Sequence, residues 1–187
     1  MFTFAILEKH LASCRIRSSL RQERGLLVNN IQFLVPGQKE FRPHSVYTST
    51  VEEILLLIRE WQLPEGVMLL IAGDSPELDS LFSTPDFYAV SCSVSRLEIS
   101  NRANSCYFAF SQWLGNLRAL AFRSKNVQVL LDEIADHLQV PVFLINGGYR
   151  LITSNVNASF ENPYIDQLLT DGYLSDESID AVMSGNL

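Results

Sequence analysis

The stretch VPVFLINGGYRLITSN, Val140 to Asn155, decides how the chain is read. An apolar run from Pro141 to Ile145 meets Asn146-Gly147-Gly148, and Tyr149-Arg150-Leu151-Ile152-Thr153 follows. Asn-Gly between two strand-like runs is a strong hairpin signal, because both turn residues tolerate φ > 0. A lone two-stranded hairpin is marginal in water and needs further strands or a helix against it. No strand-like run follows this one up to Leu187, so the sheet that the hairpin starts needs a partner from elsewhere.

Upstream, the first part reads as alternating strands and helices. Phe2 to Cys14 is a helix candidate, with Phe4, Leu7, Leu11 and Cys14 at helical spacing. Leu26–Val35 reads as a strand closed by Pro36-Gly37, and SVYTST (Ser45–Thr50) as a second one. TVEEILLLIREWQ carries a capping-box pattern, with Thr50 as cap and Glu53 three residues on. VMLLIAG (Val67–Gly73) reads as a buried strand. DSPELDSLF opens a helix with Asp74 or Ser75 as cap, and FYAVSCS is a last strand. This order predicts an α/β fold, with a mostly parallel sheet and helices beside it, over residues 1–94.

From Arg96 to Arg123 there is no Pro, and Gly115 is the only glycine. Ile99, Ala103, Cys106, Phe110, Trp113, Leu117 and Leu120 step by four and three, which is a heptad seam on a connecting helix over 95–124. In phase, Ser124, Val127, Leu131, Ile134 and Leu138 continue it, so the register is expected to carry across RSKN. Such a seam serves a dimer or the buried stripe of a helix within its own domain. The expected use is a homodimer seam built from Ile99, Cys106, Phe110, Trp113, Leu117 and Leu120. After the hairpin, Pro163–Thr170 and Asp176–Met183 read as two short helices, with Gly172 ending the first, Ser175 capping the second and Gly185 closing it.

Composition narrows the function classes. No apolar run approaches the roughly 20 residues that span a bilayer, and the basic residues of MFTFAILEKHLASCRIR follow its apolar stretch, the wrong order for a secretory signal. Cys14, Cys92 and Cys106 are odd in number and scattered, which fits a reducing, cytoplasmic setting rather than a disulfide framework. The net charge is −7, which disfavours nucleic-acid binding by this chain. That charge is unevenly spread: seven Lys or Arg face three Glu up to Arg42, and no Lys or Arg follows Arg150.

Candidate chemistry is sparse. IAGDSPEL joins a strand to a helix, the place where open sheets bind ligands and helix N-termini bind anions, yet it lacks a glycine-rich phosphate motif. Glu133 and His137 are four apart on one helix with no further His or Cys nearby, so a solvated face or a charge pair outweighs a metal. The basic segment CRIRSSLRQERG reads as a solvated helix face. No nucleophile elbow, paired-cysteine site or metalloprotease signature occurs, so no catalytic residue, cofactor or metal is assigned. Asn146, Tyr149 and Arg150 are the candidate small-molecule ligands, if the hairpin belongs to a sensor sheet.

The order of these pieces resembles bacterial regulators of the PucR/CdaR type, which govern purine catabolism and sugar-diacid use. The resemblance rests on CYFAFSQWLGNLRAL leading into Leu130-Leu131-Asp132, then Pro141-Val142-Phe143-Leu144-Ile145, then Leu151-Ile152-Thr153-Ser154, with a Gly172-Tyr173-Leu174-Ser175 step later. It implies a GAF- or PAS-like sensor, here a truncated hairpin segment with a helical insertion over 125–187. It also implies dimerisation through the connecting helix, a small-molecule effector, and DNA binding only through a helix-turn-helix that these residues do not contain. The hairpin sheet is then expected to be completed beyond Leu187, and in this piece to be sheltered by the Val127–Leu138 helix, the acidic helices or a second copy. The alternative is a stand-alone α/β small-molecule-binding protein or enzyme that uses the Gly73-Asp74-Ser75 turn.

Overall fold

The computed structural model describes residues 2–19, 25–60, 63–84, 87–156 and 162–183. The chain forms two compact units, Met1–Gln112 and Trp113–Leu187. The first is an α/β unit of α1 (Phe4–His10), β1 (Arg15–Ser18), β2 (Asn30–Phe33), β3 (Ser45–Thr50), α2 (Val51–Glu60), β4 (Met68–Ala72), a 3-10 turn (Pro76–Leu78) leading into α3 (Asp79–Ser83), β5 (Tyr88–Cys92) and the first part of α4 (Arg96–Arg123). The sheet order is β1-β5-β4-β3-β2. β2 through β5 run parallel, and β1 lies antiparallel on β5.

The parallel strands stand in chain order, so crossovers of one hand put α2 and α3 on the same face. The opposite face is left for α1 and α4, which enter from either end of the unit. Side-chain alternation along β4 shows both faces filled: Met68 and Leu70 join the core with Phe4, Leu7 and Ile99, while Leu69 and Ile71 join Ile54, Leu57, Leu78 and Leu81. A strand buried on both faces needs a continuous apolar run, which is why VMLLIA is legible as one.

Local signals place most boundaries. Thr50 N–H donates to Glu53 Oε2 at 2.9 Å and Glu53 N–H returns to Thr50 Oγ1 at 3.3 Å, closing the capping box of α2. Ser75 Oγ accepts from Glu77 N–H at 3.3 Å. Two expectations are corrected. The first helix stops at His10, and Arg15–Ser18, read as part of a basic helix face, is the edge strand β1, with a register shift between Arg15 and Arg17. The rest of that basic stretch, 20–24, lies outside the described residues. The run Leu26–Val35 is a strand only over Asn30–Phe33. Its start pairs with the N-terminus instead, through Phe4 N–H to Leu26 O at 2.8 Å and Val28 N–H to Phe2 O at 2.9 Å.

The second unit holds the end of α4, then α5 (Val127–Leu138), β6 (Phe143–Ile145), β7 (Leu151–Ser154), α6 (Pro163–Asp171) and α7 (Asp176–Met183). The seam does not run on across RSKN. α4 ends at Arg123, and Asn126 Oδ1 caps α5 by accepting from Gln128 N–H at 2.9 Å. Trp113 and His137 stack with centroids 4.1 Å apart and planes 8° from parallel. Each is ten residues from its end of the turn, so α5 folds back along α4 as an αα-hairpin, and the shared phase of the two apolar stripes reflects two facing helices rather than one.

The β-hairpin forms, but its turn differs from the expected one. Neither Gly147 nor Gly148 has positive φ, and Tyr149 carries it instead at 57°. Tyr149 N–H donates to Asn146 O at 3.0 Å, and Asn146 Oδ1 accepts from Gly148 N–H at 2.9 Å and Arg150 N–H at 3.0 Å. This is a β-turn followed by a left-handed residue, with the register shifting between Leu144 and Ile145. The far edge of β7 is met from within the chain: Leu151 N–H donates to Gly172 O at 2.9 Å and Leu174 N–H to Tyr149 O at 3.0 Å, around an Arg150–Tyr173 bridge. The link between the acidic helices thus extends the hairpin, and α5 holds it through Gln128, which donates to Ser154 O at 2.9 Å and accepts from Thr153 Oγ1. α6 and α7 match their expected spans closely, with Gly172 left-handed at φ 74°, while Gly185 lies outside the described residues.

Candidate functional site

The three candidate ligand residues sit together at the hairpin tip, and all are exposed. Asn146 spends its carboxamide oxygen on the turn backbone. Tyr149, bulky and in the left-handed region, is a backbone outlier of the kind found at functional sites. Tyr149 and Arg150 are open to solvent at the tip, with Arg150 in a backbone bridge to Tyr173.

The structure divides the expected dimer seam. Ile99 and Ala103 are 0% exposed within the α/β core. Phe110 lies 5.4 Å from Phe2, ring centroid to centroid, and Cys106 packs on the same cluster. Ile99 is therefore spent inside its own chain and is not free for an intersubunit seam, whereas Cys106 and Phe110 pack on that core but stay partly exposed. Trp113, Leu117 and Leu120 fall in the second unit and are half-buried, Trp113 against His137. The step of four and three suits any helix laid on a core as well as a coiled coil. Phe108, 66% exposed, lies off that stripe.

The Gly73-Asp74-Ser75 turn is occupied by a residue the sequence reading did not connect to it. Arg17 from β1 reaches Asp74 and Asp79, each at 2.5 Å, donates to Ser75 O at 2.8 Å, and lies 4.4 Å from the centre of the Phe82 ring. Burial works against its charge, but the hydrogen bonds to Asp79 and Asp74 outweigh it and raise the guanidinium pKa. The turn is thus an acidic pair bridged by one guanidinium, with a net negative charge that is poorly suited to an incoming anion. The following helical segments, Pro76–Leu78 and Asp79–Ser83, are too short to add a strong dipole. Nothing in the sequence joins Arg17 to Asp74, because the pairing depends on β1 being a strand.

A second unforeseen contact joins Cys14 and Cys92. The two thiols meet in the core, beneath Ser93 N–H donating to Cys14 O at 2.8 Å. Burial, reinforced by the hydrogen bond that the protonated Cys92 thiol makes to Cys14, pushes the Cys92 thiol up to about 12. Neither is in a disulfide. Beside Glu53, which pairs with Arg96, Leu34, Val35, Pro36, Gly37, Leu56 and Leu57 line a cavity of about 30 Å³. That is room for about one water and none for an organic effector. Glu133 and His137 gather no third ligand: among the described residues no group of three metal-binding side chains occurs.

Compared with known proteins, the chain matches no family model, and no curated protein or solved structure matches it significantly.

Proposed function

We propose that the chain is the sensory and dimerisation region of a cytoplasmic transcriptional regulator of the PucR/CdaR type, with DNA binding left to a helix-turn-helix outside it. The supporting observation is α4. One helix of 28 residues supplies Ile99 and Ala103 to the core of the α/β unit and Trp113 to the second unit. Two folded units that share a continuous helix are mechanically coupled: an effector that changes one changes the helix that the other is built on. No helix among the described residues is long and apolar enough to cross a membrane. The Gly73-Asp74-Ser75 turn, filled by Arg17, gives the enzyme reading no support of its own.

The test is the source DNA downstream of codon 187. A frame that continues into a helix-turn-helix, whose product retains fragments of its own promoter in a mobility-shift assay, supports the reading. A stop codon directly after codon 187, or a longer product that retains no promoter fragment, overturns it.

A further inference from the structure

The second unit is electrically polarised. It holds nine Asp or Glu against four Lys or Arg, yet no acidic residue occurs between Glu98 and Asp132. Arg118, Arg123 and Lys125 therefore cluster at the tip of the αα-hairpin, all exposed and without an ion pair among the described residues. Phe122 stands between them, 92% exposed. On α4, Arg118 and Phe122 are four apart and so share one face. A bare phenyl ring ringed by unpaired cations presents the two halves of a docking surface, one apolar and one charged.

The complementary surface is in the same unit. Asp171, Asp176, Glu177 and Asp180 are exposed on the α6–α7 element, with Tyr173 exposed among them. These carboxylates are poorly placed for an isolated chain. Asp171 ends α6, at the negative pole of the helix, and α6 has no basic residue in its last turn. Asp176 and Asp180 are four apart on α7, a repulsive spacing. None has an ion pair among the described residues.

We propose that these two surfaces dock between copies: the Arg118/Phe122/Arg123/Lys125 tip of one chain seats on the acidic α6–α7 surface around Tyr173 of a second. Two-fold symmetry makes each contact twice, so a reciprocal pair closes without leaving either patch free. The occupant is a second copy because the chain itself carries the matching charge and the matching exposed aromatic. This surface is distinct from the heptad stripe of α4, and the proposal holds whether or not the chain regulates transcription.

Sedimentation equilibrium on the full chain tests it. Wild type is expected to dimerise, and raising salt from roughly 0.05 to 0.5 M to weaken the dimer, as screened surface charge requires. Reversing the tip (Arg118→Glu with Arg123→Glu and Lys125→Glu) should raise the dimer dissociation constant at least about tenfold, from several exposed pairs of modest individual strength. Phe122→Ser alone should also weaken it, with an unchanged circular dichroism spectrum. The acidic surface reversed (Asp171→Lys with Asp176→Lys and Glu177→Lys), mixed with the reversed tip variant, should restore a heterodimer through one swapped pair of patches. A wild type that remains monomeric, or dimers indifferent to both reversals, would overturn the proposal. So would a monomeric wild type whose tip instead retains the chain on vesicles of anionic phospholipid.

Discussion

Ile99→Ala decides whether the apolar stripe of α4 is spent inside the chain. Ile99 is 0% exposed and lies among Phe2, Phe4, Leu7, Val46 and Val90, on the sheet face that α1 shares. The substitution deletes three carbons. At about 0.8 kcal/mol for each buried methylene-sized group, transfer alone costs roughly 2.4 kcal/mol. The neighbours are a rigid sheet and two helices, so the void closes only in part, and the total should reach about 3–4 kcal/mol. With a urea dependence of roughly 1–3 kcal/mol per molar for a unit of this size, the midpoint should fall by about 1–4 M. Native-state hydrogen exchange of the Leu69, Leu70 and Ile71 amides, in the centre of the sheet, reads the α/β unit directly. The loss should be the same at micromolar and at hundredfold higher protein concentration. A loss under about 1 kcal/mol, or one that shrinks as protein concentration rises, would refute the intramolecular seat of Ile99 and return it to an intersubunit seam.

Two further outcomes follow from particular contacts. Tyr149→Gly removes the Cβ penalty of the left-handed conformation, offset by the greater freedom of glycine in the unfolded chain, and should stabilise the hairpin by about 0.5–1 kcal/mol in thermal unfolding followed by tryptophan fluorescence. A destabilised variant would mean that the Tyr149 ring contributes more than its backbone costs. The Cys92 thiol, held protonated up to about 12 against an ordinary value of 9.0, binds its proton more tightly folded than unfolded. Its contribution is complete below pH 9 and is lost as pH rises toward 12, so stability should decline over that window and a Cys92→Ala variant should show a flatter alkaline limb. Identical slopes in the two proteins would remove Cys92 as the cause.

Much of the fold was legible wherever a side chain both signals and builds the structure. Thr50 and Glu53 look like a capping box because the bonds they make are local. VMLLIA looks like a central strand because both of its faces are dry. Gly172 stops α6 through its own φ. The failures share one cause, which is dependence on partners remote in sequence. Arg15–Ser18 is a strand because β5 offers it an edge, and its charges then pair with Glu8, Asp74 and Asp79, whereas alone they resemble a solvated helix. The seam in α4 was visible as a period, but a period does not say which surface it meets, and Phe2 at the far end of the chain supplies part of the answer. The reversal after Arg123 is hidden in the sequence because the apolar stripes of α4 and α5 are in phase. The place of Asn146, Tyr149 and Arg150 at a hairpin turn was legible, while the contacts of Arg17 and of Cys14 with Cys92 were not.

The sequential strand order has a consequence for synthesis. The four parallel strands and the two helices on one face are complete once β5 has been made, but the other face has only α1 until residues 96–110 follow. Phe2, Val46, Leu70 and Val90 then stay partly uncovered on a nascent chain that already holds its whole sheet. A chain growing from its N-terminus passes through that open-faced state every time. Cutting the gene at residue 94, where the order of strands and helices suggests a boundary, would make the state permanent and yield an aggregating product, so the α/β unit needs to be expressed past Gln112.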